Sequence, residues 1–254
     1  MYVKWVRVFA ASALFVMCMT FNIGGCGDGG RLISRDEEVR MGREAAADFE
    51  RQNGGRDRDP RRASLTSTIG TRVGRVAVAG NYPDYPYEFR VLANNQINAN
   101  AFPGGIIYMW NGLFNALNYD EDQLAWVAGH EAAHVARQHS VRRIERALGY
   151  ELIIQLILGN DTAGKIAGAV AGLTLQDYGR DQELEADRVG LTFAHDAGYD
   201  PTAALAVIAA FKRTQGSDPS KFELLFATHP GNTTREDGIK AFLQKQGWKG
   251  KYLQ

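Results

Sequence analysis

His130-Glu131-Ala132-Ala133-His134 is the stretch of this sequence that decides both its fold and its chemistry. Histidines four positions apart stack on one face of an α-helix, where two imidazole rings can bind the same metal ion. By itself this HExxH pattern is a moderate signal, because two histidines can also lie on a solvated helix face. A second motif is therefore needed to support a metal site.

The second motif is Glu183-Leu184-Glu185-Ala186-Asp187, which places acidic residues at helical spacing. Two histidines and one glutamate around an open fourth position form a recognised catalytic zinc set. Glu183 and Asp187 share a helix face, whereas Glu185 points roughly 200° away from Glu183. The spacing favours Glu183 as the third ligand, with Glu185 as the competing choice. Asp187 is then expected to accept the free ring N–H of a zinc-bound histidine.

The predicted site holds one zinc ion per chain at His130, His134 and Glu183, with the remaining position open to water or a substrate carbonyl. Zinc lowers the pKa of water at such a position toward about 7. Glu131 follows His130 and lies beside the metal, so it is the expected general base that passes the water proton to the leaving amine. These residues together predict a zinc hydrolase.

A further histidine, His139, tests another class of zinc enzyme. A metzincin would carry a histidine where Ser140 stands and a glycine where Arg137 stands, so that class is excluded. His139 lies about 140° from His134 around a continuous helix. We therefore expect His139 to form a local hydrogen bond rather than to bind the metal.

The N-terminus has the pattern of a lipoprotein secretion signal. Basic residues precede an apolar run over residues 8–23, which is shorter than the roughly 20 residues that span a bilayer. Residues 23–25 then resemble the box that precedes the lipidated cysteine of bacterial lipoproteins. We expect residues 1–25 to be a cleaved signal, Cys26 to carry the lipid, and residues 26–33 to be a flexible tether.

Composition adds little about partners. The 254 residues include 29 basic and 29 acidic residues, which gives no reason to expect nucleic acid as a partner. Cys18 would leave with the signal, so Cys26 would remain without a disulfide partner. Gly27 follows Cys26, so the inner-membrane retention signal, an Asp at that place, is absent. The expected location is the periplasmic side of the envelope, anchored by lipid to the outer membrane.

The hydrophobic pattern predicts one α+β domain over residues 34–254, mainly helical, with a small strand pair before the HExxH helix. Two apolar segments, residues 152–158 and 166–175, are predicted to form a buried helical hairpin, with a lid or a membrane-resting element as the alternative. The predicted helices cover residues 34–52, 65–79, 121–148, 177–197, 201–215 and 233–246, and the strands cover residues 87–92 and 106–110.

Four motifs together resemble the HtpX-like and CAAX-prenyl-protease-like family of zinc metallopeptidases. They are HExxH, the later ExxxD, the segment Asn98–Gly105, and Thr228-His229-Pro230 followed by Arg235. The resemblance implies a zincin-like metalloprotease domain and assigns zinc to His130, His134 and Glu183, catalysis to Glu131 and support of the metal site to Asp187. It also places His229 and Arg235 at the zinc pocket for oxyanion stabilisation, although either can equally be a helix-end feature. In some family members this histidine blocks the metal.

The resemblance also implies how substrate binds. Asn98-Ala99-Asn100-Ala101 resembles the family's edge strand, which pairs with the backbone of an extended polypeptide and makes little demand on its sequence. Asn100 stands where the family commonly has Phe, which leaves the substrate preference open. The expected function is an envelope endopeptidase that removes misfolded or unassembled proteins. The alternative is a chaperone-like assembly factor whose zinc site is plugged by His229 or by the 152–175 segment; a cell-wall hydrolase has less support.

Overall fold

A computed structural model describes residues 32–80, 82–147, 170, 172, 178–215, 229 and 232–253. The predicted signal, Cys26 and nearly all of the predicted 152–175 hairpin lie outside these residues. The last two residues of the predicted tether, Leu32 and Ile33, belong to the folded unit that begins at Leu32. Their N–H groups donate to Glu145 Oε1 at 3.1 and 3.2 Å, and Ile33 is fully buried.

The described residues confirm the predicted fold class, since helices dominate and a small sheet precedes the HExxH helix. Among them, no helix combines the length and apolar character needed to cross a membrane. The described residues also include a short 3₁₀ turn at Pro103–Gly105, a helical stretch at residues 139–147 and helical residues at 170 and 172. The named elements are α1 (Arg35–Gln52), α2 (Pro60–Ala79), β1 (Glu88–Leu92), β2 (Ala99–Ala101), β3 (Ile106–Trp110), α3 (Asn111–Ala116), α4 (Glu121–Ala136), α5 (Arg180–Asp196), α6 (Ala203–Gln215) and α7 (Asn232–Gln246).

The predicted start of α1 is confirmed, and that of α2 is wrong. The Ser34 hydroxyl accepts from the N–H of Glu37 at 3.3 Å and caps α1. Helix α2 begins at Pro60, five residues before the predicted start, because the Asp59 carboxylate accepts from the N–H groups of Arg61 and Arg62. An Asp cap followed by Pro in the first turn starts a helix even among charged residues.

The sheet has the order β1-β3-β2, with β1 parallel and β2 antiparallel to the central strand β3. Every residue of β3 is buried, because both faces of the sheet are covered. Ile107 and Met109 pack in the cluster that includes residues of α2 and α4, whereas Ile106, Tyr108 and Trp110 pack in the cluster that includes residues of α1. Among the described strands β2 lies at the edge of the sheet, and it belongs to the segment expected to pair with substrate.

The long helix predicted from Glu121 to Leu148 is interrupted. The Asp120 carboxylate caps its start as expected, but α4 ends at Ala136 and Gln138 has φ 58°. A left-handed residue breaks the run of i→i−4 hydrogen bonds, and a new helical stretch begins at His139. The angle expected between His134 and His139 on one continuous helix therefore does not apply.

Two glycines let α4 and α5 cross closely, which brings the two motifs together. A Cβ on Gly129 would lie 2.8 Å from the carbonyl oxygen of Gly190. A Cβ on Gly190 would lie 2.8 Å from the Cα and backbone nitrogen of His130. Both contacts are with backbone, so neither helix can relieve them by a side-chain rotation. The absence of side chains at this crossing therefore sets the distance between His130 and the helix that carries Glu183.

Gly190→Ala should push α5 away from α4. We expect the free energy of unfolding to fall by about 1–3 kcal/mol, the usual cost of overpacking, and metal binding to weaken because Glu183 moves away from His130. Urea unfolding of the chelator-treated protein measures the first effect and metal titration the second. Gly238→Ala in α7 is the matched control, because within the described part of the chain its Cβ would meet just the end of the Leu184 side chain, at 3.2 Å. A Gly190→Ala protein as stable as the wild type would contradict the crossing geometry.

Candidate metal centre

Four buried side chains meet between α4, α5 and the segment that precedes α7. One ligand atom from each lies within 4.8 Å of those of the other three, and the residues are His130, His134, Glu183 and His229. His130 and His134 come from consecutive turns of α4, and Glu183 comes from the first turn of α5. The tertiary fold therefore joins the two motifs that are about fifty positions apart in the chain.

The three candidate ligands have the spacing of atoms around one ion. His130 Nε2 and His134 Nε2 are 3.1 Å apart, His134 Nε2 lies 3.3 Å from Glu183 Oε1, and His130 Nε2 lies 3.6 Å from Glu183 Oε2. Two atoms each about 2.1 Å from a tetrahedral ion lie about 3.4 Å from one another. Two imidazole nitrogens and a carboxylate oxygen also form a donor set that suits zinc. The residues present therefore fit a bound divalent metal.

The competing carboxylate, Glu185, faces away from this cluster. Its Oε2 lies 3.1 Å from His139 Nε2, and its Oε1 contacts the Arg137 guanidinium. Glu183 and Glu185 therefore point to different sides of α5, as the helical spacing predicted. Glu183, fully buried, is the carboxylate that faces His130 and His134.

Asp187 and Arg235 lie behind His130. Asp187 Oδ1 is 3.0 Å from His130 Nδ1, the contact expected of a group that orients a metal ligand. The Arg235 guanidinium donates to both Asp187 oxygens, from Nε at 2.9 Å and from Nη2 at 2.7 Å, and its Nη1 lies 2.9 Å from Glu183 Oε2. Arg235 is therefore engaged with two buried carboxylates in this structure. Its predicted contact with an oxyanion remains a prediction.

These contacts decide the charge of the buried acids. Burial alone would raise the pKa of Glu183, but His229 and Arg235 outweigh it and hold the pKa well below its ordinary value. Burial likewise opposes the ionisation of Asp187, and Arg235 with His130 keeps its pKa lowered. Both groups are anionic at neutral pH, which suits a ligand and an acceptor of a ring N–H.

Glu131 lies beside the cluster of candidate ligands. It is 1% exposed, and its Oε1 is 3.4 Å from His229 Nε2. Within the described part of the chain, its Oε2 has no hydrogen-bond partner. Burial raises the pKa of Glu131, and the neighbouring cations only partly offset this. A carboxylate with a raised pKa accepts a proton more readily near neutral pH than an exposed one.

His134 has two further contacts, with His139, which forms a local hydrogen bond as expected, and with Tyr178, which was not predicted. The His139 ring lies behind it, with the two Nδ1 atoms 2.9 Å apart, and burial lowers the pKa of His139 to about 4. The Tyr178 ring stacks on the His134 ring, with centroids 3.7 Å apart, and its hydroxyl is 2.9 Å from Ser140 Oγ. Tyr178 precedes α5 and belongs to no spacing motif, so no signal in the sequence pointed to it.

His229 supplies the fourth donor group of the cluster. Its Nδ1 lies 3.1 Å from Glu183 Oε1 and 3.4 Å from His130 Nε2. Burial alone would lower the pKa of His229, but Glu183 and Glu131 outweigh it and raise the pKa. The ring therefore stands against the three candidate ligands, and it can either bind the metal or hydrogen-bond a reacting group.

The predicted substrate-binding segment is buried as a whole, with its main chain included. Asn98, Ala99, Asn100 and Ala101 are each at most 3% exposed, and Asn100 Oδ1 accepts from Trp110 Nε1 at 2.7 Å. The N–H of Trp110 donates to Asn98 O, and the antiparallel register pairs Asn100 with Tyr108. By strand alternation, the backbone groups of Ala99 and Ala101 point away from β3, toward the outer edge.

Comparison with known proteins places these features in context. The model of peptidase family M48 matches residues 63–242. The chain is 33% identical over 153 residues to the beta-barrel assembly-enhancing protease of Yersinia pestis, covering 55% of this chain and 31% of that protein. It is 27% identical over 213 residues to the mitochondrial metalloendopeptidase OMA1 of Schizosaccharomyces pombe, covering 83% of this chain and 62% of the relative. The metalloprotease YcaL of Escherichia coli is 24% identical over 188 residues, with coverage of 70% and 71%. The chain thus spans less than two thirds of the first two relatives.

Proposed function

Because this chain belongs to peptidase family M48, we propose that it is a zinc endopeptidase of a bacterial cell envelope, which cleaves misfolded or unassembled envelope proteins. The proposal rests on one observation: the side chains of His130, His134 and Glu183 are buried and lie close together, and Glu131 lies beside them. Three ligands and an adjacent acid are the parts that metal-assisted peptide hydrolysis requires.

The roles of the residues follow from their positions. His130, His134 and Glu183 would hold a zinc ion, which would supply an activated water and polarise a substrate carbonyl. Glu131 accepts the proton of the attacking water on its Oε2, which has no hydrogen-bond partner among the described residues, and delivers it to the leaving amine. His229, within reach of Glu131, donates to the oxyanion that develops on the substrate carbonyl.

The edge strand β2 supports an extended polypeptide as substrate. Among the described residues no strand pairs with its outer side, where the N–H and C=O groups of Ala99 and Ala101 point. Both residues are at most 2% exposed, so a substrate strand would have to displace what covers this edge. A substrate that adds a strand there is held mainly by main-chain hydrogen bonds, so many unfolded sequences are accepted. Strand β2 packs against α4, so a backbone bound at β2 would lie close to the helix that carries the two histidines.

Two features support the envelope as the place of action. Relatives in several bacteria are named beta-barrel assembly-enhancing proteases. The N-terminus has a lipoprotein signal pattern with Cys26 as the lipidated residue. A lipid on Cys26 would attach the chain to the periplasmic side of a membrane, where it would encounter unfolded envelope proteins. The balanced charge gives no support for a nucleic-acid partner.

The proposal is tested with the purified chain and unfolded polypeptides such as casein. We expect the zinc-loaded protein to cleave them, a strong chelator to abolish cleavage, and added zinc to restore it, because the metal supplies the reactive water. Cleavage products are measured by gel and mass spectrometry, and metal content by elemental analysis. A protein that cleaves equally well after complete metal removal contradicts the proposal.

A second candidate function is favoured by the position of His229. Its ring lies within 3.4 Å of His130 and 3.1 Å of Glu183, where it can plug the metal site. A plugged site fits a chaperone-like assembly factor that holds clients without cutting them. The same cleavage assay on His229→Ala separates the two. Cleavage that appears or persists in this variant supports the endopeptidase, and inactivity of both proteins with zinc bound supports the chaperone.

A further inference from the structure

We infer that His139 and Glu185 are positioning residues that hold His134 in the one tautomer able to bind the metal. His134 Nε2 faces the ligand cluster, and its Nδ1 lies 2.9 Å from His139 Nδ1. His139 Nε2 in turn lies 3.1 Å from Glu185 Oε2. The three side chains therefore form an unbroken hydrogen-bonded chain that ends on a carboxylate. The inference rests on the proposed metal site.

The Glu185 carboxylate, at the end of this series of hydrogen bonds, fixes the proton positions on both histidines. An ionised carboxylate only accepts, so the proton shared with Glu185 belongs to His139 Nε2. A neutral His139 then has a lone pair on Nδ1 and accepts from His134 Nδ1–H. His134 is left with its lone pair on Nε2, which is the atom that faces Glu183. With the opposite tautomer, His134 would turn an N–H toward the metal and could not bind it.

The break after α4 is what creates this arrangement. Gln138 adopts φ 58°, so the chain turns at once and brings His139 Nδ1 to 2.9 Å from His134 Nδ1. Arg137, in the same turn, contacts Glu185 and fixes that carboxylate from its other side. A continuous helix would instead have carried His139 well away from the His134 ring. The left-handed residue therefore has a consequence for the metal site.

Each histidine ligand consequently has its own support. Behind His130 lies Asp187, held by Arg235, and behind His134 lies His139, held by Glu185. Glu183 and Glu185 are two positions apart and point to different sides of α5, one into the cluster and the other to its outer support. Outer partners of this kind orient the ring and raise the basicity of the ligand, and their loss typically weakens metal binding about 10–100-fold.

A purely structural role for His139 predicts something different. His139 is 1% exposed, so any substitution can disturb packing. His139→Asn keeps an acceptor atom near the place of Nδ1, whereas His139→Leu keeps bulk but no acceptor. If only packing matters, Leu is tolerated at least as well as Asn. If the hydrogen bond to His134 matters, Asn restores metal binding and Leu does not.

The test measures zinc affinity by competition with a chromophoric chelator and records the visible spectrum of the cobalt-substituted protein. We expect His139→Leu to raise the zinc Kd about 10–100-fold and to shift the cobalt absorption bands. His139→Asn should recover most of the affinity and the wild-type spectrum. Glu185→Gln, at a side chain that is 28% exposed, should weaken zinc binding by less than His139→Leu and keeps the test available if the Leu variant does not fold.

His195→Leu is the matched control, because this histidine is 43% exposed near the end of α5 and contacts Asp196 rather than the metal cluster. It should leave zinc affinity and the cobalt spectrum unchanged. Thermal unfolding of the metal-free proteins separates loss of affinity from loss of fold. Equal zinc Kd values for the wild type, His139→Leu and Glu185→Gln overturn the inference while the proposed function stands. A wild-type protein that binds no zinc overturns both.

Discussion

Glu131→Gln is expected to lower kcat/KM for polypeptide cleavage by about 10²–10⁴-fold, the usual contribution of a general base, while zinc remains bound. The amide has nearly the shape of the carboxylate, but it cannot take the proton of the attacking water. The surroundings of Glu131 suit a general base. The side chain is buried, its pKa is raised, and its Oε2 has no hydrogen-bond partner within the described residues. Cleavage rates and metal content should be measured on the same preparations.

The control for this substitution is Glu44→Gln, the same chemical change at a half-exposed position on α1. It should leave both cleavage and zinc content as in the wild type. Full activity of Glu131→Gln with zinc bound would remove Glu131 from the role of base. Loss of zinc together with activity would instead show that Glu131 supports the metal, because His229 and Glu131 contact one another beside it.

Arg235→Met is expected to produce the largest loss of stability. Arg235 is 5% exposed and neutralises Asp187 and Glu183, which lie on the same face of α5. Removal of one partner from a buried ion pair costs about 3–5 kcal/mol, because the remaining charge is left uncompensated. Methionine keeps the apolar bulk against the nearby Trp126 ring, so the charge is the main change. Urea unfolding in the presence of chelator isolates this effect from metal binding.

Arg188→Met provides the comparison, since Arg188 follows Asp187 on α5 but is exposed. Its free energy of unfolding should stay within about 0.5 kcal/mol of the wild type, as is usual for surface substitutions. If Arg235→Met unfolds at the wild-type urea concentration, the guanidinium does not stabilise the two carboxylates. In that case the oxyanion contact predicted from the resemblance becomes the remaining role for Arg235.

Local patterns predicted much of the fold. Ser34 and Asp120 start helices where their cap signals predict, and the apolar strands 88–92 and 106–110 lie within one residue of the predicted bounds. These features depend on neighbours in the chain, so a single sequence contains them. Two predicted helix boundaries, the start of α2 and the end of α4, were wrong because their local signals were missed or absent. The Asp59 cap was hidden in a charged stretch, and no residue type announces the left-handed turn at Gln138.

The sequence by itself determined the class of chemistry. The four-residue spacing in His130–His134 and in Glu183–Asp187 sets which side chains share a helix face, because helix geometry is a property of the backbone. Only the tertiary structure decided what stands behind each ligand. Arg235 reaches Asp187, His139 reaches His134 and Tyr178 stacks on it through contacts between segments far apart in the chain or turned by a helix break. Spacing specifies direction around a helix, but distances across helices depend on packing, such as the glycine crossing of α4 and α5.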